Sequence, residues 1–378
     1  MEVPVLQPPE DFGMDALGTL CHVSPRAPSR LHSTFWAAWR RAVFSHEAEL
    51  IPRGGPGAMD PSDAGASHEL MSVTPTARVP VGALLLEPAK ASHAGLVVVH
   101  TSEPVEPLER QAERYRRAVE RGLTVLLLRV RGFGGSRGAW SRLRSDDADY
   151  AVYGLVAGTP READMHHWVL PQCVADVTHA CLALRRRLSA RSGCVPTISM
   201  DGTSFGAALV IMAAGQMTAH HPELEPSRLT LALPSLGDLA WRFADESRVA
   251  RMGMARAMFE HLRRTGEAGA DMLDAMRLVD SAVHSVEVRS SVLMRLALRD
   301  DRVPAPTQAG VFNNLSTSVG RKWRFVTPTG HFEGGLRDLR RAALFERLRE
   351  EFWDPARPVD QILEPWEGLL LEGERAPN

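Results

Sequence analysis

The chain has 378 residues, enough for one large core or two modest ones, and its 44% hydrophobic and 24% charged content is that of an ordinary globular protein. A formal net charge of −2 gives no reason to expect a nucleic-acid or acidic-lipid partner. No run approaches the roughly 18 apolar residues of a membrane span, so no membrane partner is expected either.

The start, Met1-Glu-Val-Pro-Val-Leu-Gln-Pro-Pro-Glu10, lacks the basic-then-apolar pattern of a secretory signal. The four cysteines, Cys21, Cys173, Cys181 and Cys194, lack metal-ligand spacing. A cytoplasmic protein with buried, reduced thiols is the expectation. Residues 1–30 are Pro-rich and read as an arm lying over the surface. Apolar residues at helical spacing after a Ser/Thr cap predict a helix over Ser33–Phe44. Arg53–Ser67, rich in Gly, Pro, Asp and Ser, reads as a loop. Leu70–Thr74 and Pro80–Glu87 predict an antiparallel hairpin at one sheet edge.

Strands and helices then alternate. Strands are expected at Gly95–His100, Thr124–Val130, Val195–Met200, Leu229–Leu233, Ser291–Leu298 and Trp323–Thr327. Helices are expected at Pro107–Gly122, Cys173–Arg191, Ala207–Ala219, Thr307–Leu315 and, as the last, Leu336–Phe352. Continuous apolar strands separated by helices predict an α/β fold, a mainly parallel sheet covered on both faces. The expected division is an N-terminal arm, helix and loop (1–68), the α/β domain (69–353) with a mainly helical insertion at 237–290, and a C-terminal tail (354–378).

One stretch organises the rest. The apolar, β-branched run from Val195 leads into Gly202-Thr-Ser-Phe-Gly206 and then an Ala-rich apolar run through Met217. Strand, Gly-x-Ser-x-Gly, helix is the context of a nucleophile elbow, a sharp turn that lifts a serine above the sheet edge. Ser204 is the candidate nucleophile, and the backbone N–H of Phe205 a candidate oxyanion donor. A serine needs a base, and the base an orienting acid. In the α/β-hydrolase order the acid follows the serine and the histidine comes last. Of fourteen histidines only His331, just past the Trp323–Thr327 strand, follows the candidate acids. Those acids are Asp300 and Asp301, at the C-terminal end of another strand. Asp300 is favoured, with Asp301 read as a solvated carboxylate or ion-pair partner of Arg302. The second oxyanion N–H is expected from Thr101 or Ser102, after the Gly95–His100 strand.

Two other patterns carry no site. Gly132-Phe-Gly134-Gly-Ser-Arg137 lacks the third glycine of a dinucleotide fingerprint and reads as a turn beneath the site, so no cofactor is expected. Asp164-Met-His166-His167-Trp168 has adjacent histidines without a spaced third ligand, so no metal is expected.

Several segments at the right spacing resemble the acetyl xylan esterase / cephalosporin C deacetylase family (carbohydrate esterase family seven). They are Arg131-Gly-Phe-Gly-Gly-Ser136, Gly202-Thr-Ser-Phe-Gly206, Leu233-Pro-Ser-Leu-Gly-Asp238, Asp280-Ser-Ala-Val-His284, Leu298-Arg-Asp-Asp-Arg-Val-Pro-Ala-Pro-Thr307, Phe312-Asn-Asn-Leu315 and Gly330-His331. Together they span roughly residues 70–350. The resemblance implies an α/β-hydrolase fold and a serine esterase or deacetylase of small acyl esters. It implies a Ser204–His331–Asp300 triad, since the Asp300-to-Pro304 spacing is how the family places its acid, and a homo-oligomer. The sequence departs from the family at Phe205 and Ala207, where Gln and Gly are usual, and at His100-Thr101-Ser102, where His-Gly-Tyr is usual. The alternatives are another α/β-hydrolase, a peptidase or dienelactone-type enzyme, or a catalytically silent hydrolase fold used for binding. The residues that bind substrate are not legible.

Overall fold

The structure, a computed structural model, describes residues 12–52, 67–73, 80–90, 93–101, 111–133, 150–155, 161–250, 253–332 and 336–374. Among these described residues the centre is a sheet of nine strands. They are β1 (Leu50–Pro52), β2 (Ser67–Val73), β3 (Val81–Glu87), β4 (Ala94–Val99), β5 (Thr124–Leu128), β6 (Thr197–Thr203), β7 (Arg228–Ala232), β8 (Ser291–Ala297) and β9 (Lys322–Thr327). The order across the sheet is β1-β2-β3-β5-β4-β6-β7-β8-β9. β2 and β3 form the antiparallel hairpin that the pattern predicted, but it is not the sheet edge: β1, a strand not expected within residues 1–68, pairs antiparallel outside β2; β3 also pairs antiparallel with β5, and β4 to β9 run parallel.

Period-two alternation explains why the strands read as unbroken apolar runs. In β4, Val97 and Val99 face one core while Leu96 and Val98 face another; in β5, Leu126 and Leu128 oppose Val125 and Leu127. The first face is covered by α1 (His32–Phe44), α3 (Val169–Ser192) and α4 (Phe205–His220). The second carries α2 (Arg116–Glu120), α8 (Leu336–Phe352) and the helices after it. The insertion between β7 and β8 is helical, with α5 (Met254–Arg264) and α6 (Gly269–Met276). α7 (Ala305–Asn314) leads into β9. Among the described residues no helix is long and apolar enough to cross a membrane.

Several expectations need correction. α3 begins at Val169, earlier than expected, because Pro171 falls in the first turn, where its missing N–H costs no hydrogen bond. Leu336–Phe352 is not the last helix. α9 (Val359–Leu363) and α10 (Glu367–Glu374) follow, and Ile362, Leu363, Trp366 and Leu370 pack on Phe325, Phe345 and Phe352. The expected tail is therefore part of the second core. The cysteines are free, but only Cys173 and Cys181 are buried; Cys21 and Cys194 are exposed.

The N-terminal arm is pinned in place. Asn313 Nδ2 donates to the carbonyls of Leu20 and His22, and Arg324 Nη1 to that of Leu20. Trp36 and Trp39 of α1 donate their indole N–H groups to the carbonyls of Leu278 and Pro171. Beside Trp36, His284 is enclosed: Nε2 meets the Leu278 carbonyl at 2.8 Å and Nδ1 the Gln216 amide at 3.2 Å. Burial, with the nearby His32 and Arg40 charges, pushes its pKa from 6.5 down to about 3.

That depression sets a pH dependence. Below pH 6.5 the unfolded chain binds a proton at this position that the folded chain refuses, so the contribution is full above pH 6.5 and is lost as pH falls towards 3. Replacing His284 by Gln, which cannot titrate, should shift the stability difference between variant and wild type by about 2 kcal/mol in the variant's favour from pH 7 to pH 5. Urea unfolding at the two pH values measures this; an unchanged difference refutes it.

Candidate active site

The turn after β6 is strained. Ser204 has φ 54° and ψ −115°, a region costing a non-glycine residue on the order of 1–3 kcal/mol. Neighbouring backbone holds it there: Ser204 N–H donates to the Ala232 carbonyl at 2.7 Å, and Ser235 N–H donates to the Ser204 carbonyl at 3.2 Å. The two glycines are steric necessities. A Cβ on Gly202 would lie 2.6 Å from the Gly206 carbonyl, and one on Gly206 would lie 2.5 Å from the Val99 carbonyl. Ser204 thus sits half-buried at the C-terminal edge of the sheet, capping the start of α4.

Asp300 follows β8 and His331 follows β9, so both loops open at the same edge. His331 Nδ1 lies 2.9 Å from Asp300 Oδ2 and 3.1 Å from Oδ1. The acid's other lone pairs are also occupied. Oδ1 accepts the N–H groups of Arg302 and Val303, each at 2.8 Å, and Oδ2 accepts Gln308 Nε2 at 3.0 Å. Each of these partners is a donor, so both carboxyl oxygens are fixed as acceptors. The Asp300 side chain is fully buried, whereas that of Asp301 is 64% exposed and 3.9 Å from Arg302 Nε. Arg242, wholly buried, donates Nη2 to the Arg302 carbonyl at 2.5 Å, and burial lowers its pKa to about 10.

The loop after β7 backs the elbow and was not singled out by its chemistry. Leu233, Leu236 and Asp238 all have positive φ, at 53°, 56° and 48°. Such residues persist where surrounding groups over-determine them. Here Asp280 accepts the N–H groups of Asp238, Leu239 and Ala282. Ser281 N–H donates to the Leu236 carbonyl, and Ser281 Oγ to that of Ser235. His22 Nε2, on the arm, lies 2.8 Å from Asp238 Oδ2.

Beneath the elbow, Phe205 is buried, with its ring 6.0 Å from that of Phe133 and 6.4 Å from that of Tyr150. Gly132, at φ 84°, lies where a Cβ would be 2.4 Å from the Tyr150 ring. Arg131 carries this turn. Its backbone N–H and Nε both donate to Asp176 Oδ2 at 3.0 Å, and Nη2 donates to Oδ1 at 2.5 Å, with both side chains almost fully buried. Burial beside Asp176 pushes the Cys173 thiol, 3.1 Å from the Tyr150 hydroxyl, up to about 12.

Of the residues singled out from sequence, Asp300 and His331 are hydrogen-bonded, and Ser204 and Phe205 stand at the same sheet edge. Ser102 and Gly134–Arg137 lie outside the described residues. Thr101 is engaged through its side chain: its Oγ1 accepts the Gly206 N–H at 3.1 Å. Gln308, Asp176 and Arg242 were missed, and Asp280 was picked out only as part of a resembling segment, with no role given; an isolated Gln or Arg in a helical stretch carries no local signal. Among the described residues no three His, Cys, Asp or Glu side chains are grouped to hold a metal ion.

No protein-family model and no curated protein matches the chain in sequence. Solved structures do match in fold. Acetyl xylan esterase 1 from Thermoanaerobacterium sp. JW/SL YS485 superposes with a TM-score of 0.65 at 16% identity, covering 88% of this chain and 97% of that one. An acetyl xylan esterase from Paenibacillus sp. R4 gives 0.64 at 16% identity, covering 87% and 98%. Acylaminoacyl peptidase from Pyrococcus horikoshii gives 0.53 at 14%, covering 79% of this chain and 44% of that one. The fold is that of the α/β-hydrolases, as the motif order predicted.

The buried pair under the elbow generates a stability prediction. Asp176→Asn leaves the Arg131 guanidinium buried without its counter-charge and should cost about 3–5 kcal/mol. Replacing both partners, Arg131→Met with Asp176→Leu, should recover most of that loss. Chemical denaturation of the three proteins checks both statements.

Proposed function

We propose that the protein is a serine ester hydrolase acting on small acyl esters through Ser204, His331 and Asp300. The observation that carries this reading is the caged Asp300–His331 pair opening at the same sheet edge as the strained Ser204 turn. Ser204 Oγ attacks the ester carbonyl carbon while His331 Nε2 takes its proton. Asp300, on Nδ1, fixes the tautomer and stabilises the imidazolium. The tetrahedral oxyanion is met by backbone N–H groups, that of Phe205 at the start of α4 and a second from the loop after β4, where Ser102 is our candidate. Collapse breaks the bond to the alcohol, which leaves with the proton from His331. A water then gives its proton to His331 and attacks the acyl-enzyme; the acid departs and Ser204 recovers its proton.

The esterase reading is preferred over a peptidase on coverage. The alignment takes in nearly all of each acetyl xylan esterase but 44% of the acylaminoacyl peptidase chain. The intact triad residues speak against a silent hydrolase fold.

Labelling by a fluorophosphonate at Ser204, absent in Ser204→Ala, is the first test; an unlabelled wild type overturns the reading. With a model acetyl ester, Ser204→Ala, His331→Ala and Asp300→Asn should each lower turnover roughly a thousandfold or more, and double variants should lose little further. Asp301→Asn should lose less than about tenfold, because an exposed carboxylate contributes little. A crippled Asp301→Asn beside an active Asp300→Asn would refute the choice of acid.

A further inference from the structure

Phe332 follows the base and is 69% exposed. A lone apolar residue on a surface needs no explanation, but this one stands against the imidazole. Its ring meets that of His331 edge-to-face, 5.1 Å between centroids at 85°. On the same ring rests the Arg302 guanidinium, 5.7 Å from the centroid. The Arg302 side chain is itself 37% exposed. Its backbone is fixed on both sides, the N–H on Asp300 and the carbonyl on Arg242. The loop before Phe332 is fixed as well: Arg299 N–H donates to the Thr329 carbonyl at 3.0 Å, and the Thr327 and Thr329 hydroxyls lie 2.9 Å apart. An aromatic ring and a guanidinium therefore form an open corner, attached to the two loops that carry acid and base.

We infer that this corner is the subsite for the alcohol half of the ester, and that the alcohol it takes is aromatic. The inference rests on the ester-hydrolase reading. The imidazole that returns a proton to the departing alkoxide must come within hydrogen-bond reach of the alcohol oxygen. A side chain that touches that imidazole and stays open to solvent borders the alcohol rather than the acyl chain. A flat π-system suits both walls. It stacks offset on the exposed part of Phe332, and it attracts a guanidinium, which is weakly hydrated and loses little when covered. A saturated alcohol of the same size gains only the area it buries. Because both loops are tied to the catalytic pair, the corner is formed before substrate arrives and little ordering cost falls on binding.

The test compares kcat/KM for benzyl acetate and cyclohexylmethyl acetate, whose alcohols share size and differ in aromaticity. Wild type should prefer the benzyl ester. Phe332→Ala should lower the benzyl-to-cyclohexylmethyl ratio about tenfold, chiefly through KM, and Phe332→Tyr should keep it near the wild-type value. Arg302→Met should lower it about threefold. A ratio that Phe332→Ala leaves within twofold of wild type, or a wild type without the benzyl preference, overturns the subsite. A wild type that hydrolyses neither ester, with Ser204 unlabelled by a fluorophosphonate, overturns the ester reading and the subsite together.

Discussion

A serine held at φ 54° is the constraint on which the architecture around it depends. Such a turn does not hold itself. It needs glycines two positions before and after, because the Gly206 and Val99 carbonyls come too close for any Cβ. It needs the Ala232 carbonyl at the end of β7 and the Ser235 N–H beyond it. The β7 loop that supplies the second contact is strained in turn, and its strain is stabilised by Asp280 and Ser281. Each strained segment is therefore held by hydrogen bonds from the next layer outward, ending at His22 on the arm.

Charge follows a second line of dependence. Asp300 receives three hydrogen bonds besides the imidazole, two of them from its own loop. A short acid loop with a Pro at position 304 starting a helix gives those N–H groups their direction. Gln308 closes the arrangement from α7: it gives Nε2 to the Asp300 carboxylate and the Val303 carbonyl and takes the Ala297 N–H on Oε1. Arg242 holds the far side of the loop through the Arg302 carbonyl. The acid is thus set in orientation by backbone geometry, while the flexible side chain beside it, Asp301, is left to solvent.

What the sequence made legible is what local pattern encodes. The strands β4 to β8 announced themselves because both faces are buried along nearly their whole length, β9 through its buried second half, and the elbow because Gly-x-Ser-x-Gly fell between a strand and a helix. His331 was identifiable because no other histidine follows the acids. Asp300 and Asp301 differ by one position, and it was the resemblance to a family that places its acid four residues before a proline that supported Asp300; burial separates them in the fold. The Arg131–Asp176 pair joins residues 45 apart, and Gln308 matters only once the α7 start meets the β8 loop. Such partners are tertiary facts with no periodic signature. α9 and α10 were missed for a different reason: Val359, Ile362, Leu363, Trp366 and Leu370 do recur at helical spacing, but the two helices are short and Pro365 falls between them.

The arm that crosses to Asp238 also bears on how the molecule is made. Its partners come from the far end of the chain: Leu20 is bonded by Asn313, 293 residues on, and by Arg324, 304 residues on. The arm is synthesised well before these partners and cannot dock on them until they too have been made. Contacts of such sequence separation form late, because the loop they close must be ordered before it is rewarded. The strained β7 loop gains its His22 contact in that last step, so the youngest folding intermediates carry a serine turn that lacks its outermost support. Docking of the arm and completion of the outer support of the serine turn are, for this topology, nearly the same event.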